Sequence, residues 1–431
     1  MTRTAGTYER SPGPGDVRLP GALPRLLPAS FAAGSASLAG HLARYGPPPS
    51  GQGRRRDSLI AEVGRAGLTG RGGAGFSTAR KLAAVATGHA PVVIANGTEG
   101  EPASAKDKVL MARSPHLVLD GAVLAAEMTG AREAVIVVHH SVREILDGAV
   151  AERRRALLDR VGIKIVTGAD RFVAGEASAV VHWIERGVPA PTSTPPRLSE
   201  RGLANRPTLV QNVETLAHLA LIARYGASWF RSVGTPAEPG SMLVTVLGAV
   251  RDPSVVEIAI GTPVGQMLEQ AGGASAPVRA LLLGGYFGDW VDATAAMSRP
   301  FSSAGLADLG AGPGAGLMLA LPVGACGLIW TAKIMRYLAD QSAGQCGPCL
   351  FGLAAIAGEV ERLAEGRTTD PGLLRRWLDQ VDGRGGCAHP NGAVRLVRSA
   401  LRTFGAELDE HAAGWCRGKA CVLPVPPGTT R

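Results

Sequence analysis

Cys346 and Cys349 are separated by two residues in QSAGQCGPCLFG, residues 341–352, a spacing that offers two thiolates to one metal centre. Pro348 lies between them and an apolar helical pattern follows. A helix start there stabilises thiolate charge through its dipole and free amides. Ala343 holds the place where a third cysteine would extend the run to C-x-x-C-x-x-C. Further soft ligands follow: Cys387 and His389 in GGCAHP, then Cys416 and Cys421 in WCRGKACVLP. Cys346, Cys349, Cys387 and His389 make a plausible three-cysteine, one-histidine zinc set. Cys326, in the apolar VGACGLIW, reads as a core cysteine.

A second group of residues suits an anion. GLTGRGGAGFSTARKL, residues 67–82, places five glycines between Gly67 and Gly75 ahead of a helix. Glycines let the backbone approach a ligand closely, and amides at a helix N-terminus face negative charge. Lys81 adds a cation within reach. The stretch is no P-loop, since no Gly-Lys-Ser/Thr follows. ANGTEGEPASAKDKVLM (95–111) packs Asn96, Glu99 and Glu101 into a loop after an apolar strand. VAGEASAVVHWI (173–184) sets Gly175 and Glu176 at a helix start, and RPTLVQNVETLAHLA (206–220) carries Gln211, Asn212, Glu214 and Thr215. Singly, each could be a solvated turn or a cap.

These residues need elements to position them. The 431 residues, 45% hydrophobic, suffice for two to four domains with full cores. The formal charge of +9 suggests nucleic acid, but the arginines are scattered among acids. The runs at 54–56 and 153–155 carry no aromatic-interleaved stripe, so nucleic acid is excluded as a partner. Six cysteines in a chain this long do not make a disulfide scaffold. The opening residues have no apolar h-region and GLMLALPVGACGLIW (316–330) is too short to span a bilayer, so a cytoplasmic location is expected. Residues 1–55, rich in Pro, Gly and Ser, read as a flexible lead-in. DSLIAEVGRAG reads as a helix capped by Asp57 or Ser58, and from there to residue 235 strand and helix alternate, predicting a parallel sheet with helices on its faces. Residues 236–325 predict a small α+β module with SMLVTVLGAV, SVVEIAIG and RALLLGGYFG as strands and PVGQMLEQAGG as a helix. Residues 326–415 predict a helical bundle, and 416–431 a cysteine-containing tail.

Taken in order, GLTGRGGAGFSTARKL, NGTEGEPASAKDK, GEASA and PTLVQNVETLA, followed by the cysteine motif, resemble the flavin-binding, NADH-oxidising subunit of respiratory complex I and of NAD-linked hydrogenases and formate dehydrogenases. The resemblance covers residues 56 to about 412. It implies an α/β FMN domain, a soluble-ligand-binding β-grasp module and an all-α iron–sulfur bundle. FMN contacts would come from Gly70, Arg71, Gly72 and Gly73, with Lys81 nearby, and from Asn96, Glu99, Gly175, Glu176, Asn212 and Thr215. Phe76 matches a nucleotide-stacking aromatic, and Glu101 is the candidate contact to the nicotinamide nucleotide. Cys346, Cys349 and Cys387 would be three of the four ligands of a [4Fe–4S] cluster. His389, Cys416 or Cys421 could supply the fourth, or one iron could stay open. Cys416 is the favoured choice because it directly follows the last helix.

The departures from the family pattern gather on the NADH side. A second stacking aromatic is replaced by Ala84, a Lys-Pro-Pro-aromatic segment reads Thr194 to Arg197, and two acidic positions are Thr98 and Ala177. Gln211 stands where the family has asparagine. Losing two stacked aromatics costs on the order of 1–3 kcal/mol of nucleotide affinity. The resemblance implies electron flow from NAD(P)H through FMN to the cluster. The onward partner would be a thioredoxin-like [2Fe–2S] subunit or a ferredoxin, in an assembly peripheral to a membrane. A member that no longer uses NADH, or a zinc-binding scaffold, would leave the same motifs.

Overall fold

The computed structural model describes residues 23–28, 36–51, 55–192, 195–367, 370–416 and 418. Four strands form the first sheet: β1 (Val92–Gly97), β2 (Glu133–Val138), β3 (Gly162–Thr167) and β4 (Thr208–Asn212). Their order is β3-β2-β1-β4 and every pairing is parallel. Both faces are covered, which is why the central strands read as unbroken apolar runs. Val93 and Ala95 face a core shared with the Pro115–Thr129 and Val213–Phe230 helices. Val92 and Ile94 face Val180 and Val181 of the Ala177–Arg186 helix.

The Pro115–Thr129 helix is apolar on nearly all sides because it is enclosed on all sides. It passes the Val213–Phe230 helix so closely that a methyl group on Gly121 would meet the Leu216 carbonyl. Polar fastening lies beside this core. Lys106 Nζ is 2.7 Å from Asp107 and 2.9 Å from Glu214, and Glu214 Oε1 accepts the Leu243 N–H at 2.9 Å. Burial alone would lower the Lys106 pKa, but the two carboxylates outweigh it and hold the ammonium charged.

The second sheet comprises β5 (Ser241–Gly248), β6 (Ser254–Ala259), β7 (Val278–Leu283), β8 (Asp289–Asp292) and β9 (Leu317–Pro322), in the order β6-β5-β9-β7-β8. β5 and β9 are parallel, while the other pairs are antiparallel. Alternation along β7 and β9 divides their side chains between two cores. Leu281, Leu283, Met318 and Ala320 pack with the Val264–Gln270 helix, whereas Leu282, Leu317, Leu319 and Leu321 pack with the helices beyond residue 326. The apolar run 316–330 is therefore a central strand followed by the start of the Gly327–Asp340 helix. The remaining helices are Leu353–Ala364, Pro371–Val381, His389–Thr403 and Gly405–Ala412. Among the described residues no single helix is long and apolar enough to cross a membrane.

Two expectations are corrected. The described parts of the lead-in are docked: the Arg25 and Leu26 N–H groups each donate to Glu257 at 2.8 Å. His41, on the Leu38–Tyr45 helix, lies 2.7 Å from buried Asp120. Residues 1–22 lie outside the described residues. The second correction concerns the helix expected from Asp57 or Ser58, which already includes Arg55 and runs to Ala66.

Gly121→Ala should destabilise the protein by about 3 kcal/mol, because the added methyl must push two packed backbones apart. A urea denaturation midpoint indistinguishable from the parent's would show that the two helices can separate freely.

Candidate active site and metal centre

The chain leaves β3 and crosses back to lay β4 against the far side of β1, so the order of strand addition reverses between β1 and β4. Ligand crevices in open parallel sheets form at the carboxyl ends beside such a switch. Asn96 and Asn212 stand in register there. The Asn96 amide donates to the Gly175 carbonyl at 2.9 Å, and its oxygen accepts the Thr98 N–H and hydroxyl. Asn212 caps the helix behind it through the Glu214 N–H and donates to Asp107 at 2.6 Å.

The glycine loop arches over this crevice. A bridge between Thr69 and Ser77 closes its base, and the Gly70 N–H donates to the Phe76 carbonyl at 2.9 Å. Gly73 and Gly75 have φ of 101° and 60°, where side chains are strained. A methyl group on Gly72 would stand 3.3 Å from Asn212 Cβ, so the loop rests on the switch point. Ser77 then caps the Thr78–Ala86 helix that carries Lys81. The Lys81 ammonium is half-buried, its pKa lowered by that burial. No carboxylate among the described residues pairs with it; its near neighbour is the Phe76 ring, 5.9 Å away. Phe76 itself is 49% exposed, an open aromatic face. An unpaired cation under an exposed glycine loop at a helix start fits a phosphate monoester, and so fits FMN.

Other expected contacts are engaged elsewhere. The Arg71 N–H donates to the Thr215 hydroxyl at 2.9 Å, and its guanidinium turns inward to Thr69 and the Pro239 carbonyl. Glu99, with φ of 45°, accepts the N–H groups of Asp107 and Lys108 and the Ser104 hydroxyl. Glu176 caps its helix through the Ala179 N–H. Arg71, Glu99 and Thr215 therefore hold the loops together, and their side chains do not present free groups to a ligand. Glu101 reaches the second sheet and accepts the Tyr286 N–H at 2.9 Å. Burial pushes its carboxyl up to about 8. Of the replaced positions, Gln211 donates to Thr78 at 3.2 Å, and Thr194 lies outside the described residues.

The cysteine loop adjoins this crevice. Cys349 is buried; Cys346 and Cys387 are half-buried. Burial opposes the Cys346 thiolate, yet N–H groups of Gly386 and Cys349 and the Cys349 thiol hold its pKa below the ordinary value. Cys349 is pushed up to about 12 by burial, then by its bond to Cys346 and the neighbouring thiolate charges. Burial also raises Cys387, with charge on Glu176 and Cys346 adding to it, while the His389 N–H opposes. No three ligand atoms of Cys346, Cys349, Cys387 and His389 lie within 4.8 Å of one another, whereas tetrahedral zinc would hold them about 3.8 Å apart. Thiolates that bind different irons of a cluster span more, and backbone N–H donors to sulfur are the usual surroundings of such clusters. Cys346 and Cys349 are in thiol contact, but neither Cys387 nor His389 closes a tetrahedral set with them, and the backbone donors suit an iron–sulfur cluster.

The expected fourth ligand is corrected. Cys416 lies with Cys326 and His411, all three ligand atoms within 4.8 Å, because the chain turns back after the Gly405–Ala412 helix. His389 Nε2 is 2.7 Å from the Leu338 carbonyl, its ring wedged between Phe172 and Phe287. Cys421 lies outside the described residues. Sequence reasoning missed Asp107, which orients Asn212, and Tyr286, which meets Glu101 from a distant strand turn. The acidic residue in SAKDK was a visible signal; Tyr286 carried none.

Glu101 gives the site a pH signature. An exposed glutamate loses its proton near 4.5, while this one keeps it to about 8. The folded state therefore binds the extra proton across that window. The contribution of Glu101 to stability is full below the unfolded pKa and is lost as pH rises through the folded one. Glu101→Gln cannot ionise, so its melting temperature should fall less than the parent's between about pH 5 and pH 8.5; parallel curves would mean the carboxyl is already ionised at pH 5.

Residues 63–221 match the Nuo51 FMN-binding domain family, 243–288 the SLBB domain, and 330–411 the NADH-ubiquinone oxidoreductase-F iron-sulfur binding region. The second of two NADH-quinone oxidoreductase F subunits of Rhizobium meliloti (strain 1021) is 30% identical over 376 residues, covering 82% of this chain and 89% of the relative. The corresponding F subunit of Salmonella typhimurium (strain LT2) is 30% identical over 376 residues, covering 82% and 84%. A chain of an NAD+-reducing [NiFe]-hydrogenase in the H2-reduced state superposes with a TM-score of 0.77 at 32% identity, covering 83% of this chain and 63% of that one. This chain thus spans somewhat less than two thirds of the hydrogenase chain, but most of the quinone-reductase subunits. At 30% identity over 82% of its length, the chain belongs to the family of NADH-quinone oxidoreductase F subunits.

Proposed function

We propose that this chain is the NADH-oxidising flavoprotein subunit of an electron-transfer assembly, passing electrons from NADH through FMN to a [4Fe–4S] cluster and on to a partner. One observation carries the reading. The segment Arg171–Glu176 is bonded to the crevice at one end and to the cysteine loop at the other. Gly175 accepts from Asn96 at 2.9 Å, the Phe172 N–H donates to Gln341 at 3.1 Å, and Arg171 donates to the Ser342 carbonyl at 3.3 Å. Charge on Glu176 is felt at Cys387. A flavin site and a cluster site sharing one short segment suit electron transfer through protein.

When bound, FMN supplies hydride acceptance followed by single-electron release, and the cluster supplies a one-electron relay. Backbone amides of Gly70, Gly72 and Gly73, with Lys81, would hold the phosphate. Asn96, Gly175 and Asn212 would border the rest of the cofactor, supported from behind by Arg71, Glu99, Glu176 and Thr215. Phe76 offers a stacking face to the nucleotide, and Glu101 can hold or release a proton near pH 8. Cys346, Cys349 and Cys387 would ligate three irons, with Ala343 leaving one corner without a protein thiolate.

The five-stranded sheet with its Val264–Gln270 helix supports the β-grasp assignment, and the helices after residue 326 support an all-α bundle. Domain limits of 56–235, 236–325 and 326–415 follow, with residues 23–28 bridging the first two and 36–51 docked on the first. Leu350 and Phe351, 54% and 70% exposed on the turn that carries Cys349, suit a docking partner. A thioredoxin-like [2Fe–2S] subunit or a ferredoxin-type carrier fits there, and an acidic one would complement the net charge of +9. Through such a partner the chain would sit at the periphery of a membrane complex.

The test is an anaerobic absorbance spectrum of the protein loaded with FMN, iron and sulfide, before and after NADH. Bleaching of the flavin band is expected. A band that stays oxidised with NADH but bleaches with dithionite would overturn NADH as donor. Lys81→Ala should weaken FMN binding roughly ten- to hundredfold, the loss of about 1.5–3 kcal/mol from a charged hydrogen bond. Fluorescence titration reads this directly, and unchanged affinity would remove Lys81 from the phosphate site.

A further inference from the structure

A second group of soft ligands stands apart from the cysteine loop. Cys326 is fully buried and caps the Gly327–Asp340 helix, its sulfur accepting the Ile329 N–H at 3.4 Å. Its sulfur lies 3.2 Å from His411 Nε2 and 3.1 Å from Glu407 Oε2. Glu407 and His411 are one turn apart on the same helix. The chain then folds back, with the Cys326 N–H donating to the Gly418 carbonyl at 3.1 Å. That return brings the exposed Cys416 into the group, so that two sulfurs and one imidazole nitrogen lie within 4.8 Å of one another.

Three lone-pair donors converging where two of them are buried repel unless protons or a cation lie between them. Thiolate, thiolate and imidazole form the donor set that selects tetrahedral zinc over magnesium, calcium or manganese. We infer that Cys326, His411 and Cys416 bind one Zn2+ that clasps the residues after the last helix onto the N-terminus of the Gly327–Asp340 helix. Binding displaces a proton from each thiol to solvent, so charge balances as two thiolates replace two thiols. Glu407 Oε2 stays outside the ligand triangle. It accepts the Cys326 S–H at 3.1 Å until zinc displaces that proton, and it accepts the Leu328 N–H at 3.2 Å while its other oxygen pairs with Arg279, whose charge offsets the carboxylate beside the thiolate.

The experiment is zinc and iron analysis of the whole protein, loaded with iron and sulfide, incubated with Zn2+ and gel-filtered. One zinc per chain is expected in the parent, close to none in Cys416→Ala and in His411→Ala, with iron unchanged in both. Cys387→Ser should lose iron and keep zinc. Cys416 is exposed, so its replacement does not disturb the core, and Co2+ in the parent should give the absorption of a thiolate-bound tetrahedral ion. Zinc that survives in Cys416→Ala, or that departs with Cys387→Ser, would overturn the site. So would a Cys326–Cys416 disulfide in protein purified and mapped without oxidant.

Discussion

The pairing of β1 with β4 is the constraint on which the rest depends. A parallel sheet buries both faces, so ligands meet it at strand ends, where backbone is still open. Placing β4 beside β1 rather than β3 opens the ends next to each other and brings Asn96 level with Asn212. The glycine loop, the Lys81 helix and the Gly175 turn all converge on that one point. The Gly175 turn lies roughly a hundred residues along the chain from the glycine loop and its helix, and no local interaction could gather them.

The crevice is supported by a buried ionic group rather than by hydrophobic contact alone. Lys106 lies between Asp107 and Glu214, Asp107 binds Asn212, and Glu214 binds the backbone of β5. Charges taken out of water are tolerated when each finds a partner, and removing one leaves the others uncompensated. The same residues therefore fix an asparagine at the crevice and fasten the second sheet to the first. Glu101 makes another such link to Tyr286, without a cation beside it, and its raised pKa is the consequence.

The sulfur chemistry divides into two neighbourhoods. Cys346, Cys349 and Cys387 meet backbone N–H donors and do not all three come within reach of one ion, whereas Cys326, His411 and Cys416 are close enough to share one. Ala343 removes one thiolate from the first group, and Cys416, the tail cysteine expected to replace it, lies with the second. Proximity in sequence to the last helix was a poor guide here, because a turn at Gly414 redirects the chain.

Much of this protein was legible from its amino acids alone. Apolar runs located β1 and β2, since burial on both faces writes itself into composition, and strand–helix alternation located the edge strand β3 and the main helices. The glycine loop, Lys81 and the cysteine spacing announced an anion site and a metal site, because such chemistry needs particular residue types close together. What the sequence could not decide was which polar side chains face the ligand. Arg71 and Glu99 sit in the right loops yet bind protein, as hydrogen-bond partners are chosen by three-dimensional proximity. The strands β8 and β9, the docking of residues 23–28 and 36–51 and the company kept by Cys416 were likewise hidden. Each depends on contacts with residues far along the chain, and local propensity carries no record of those. Sequence determined the chemistry available; tertiary packing decided which groups remain free to perform it.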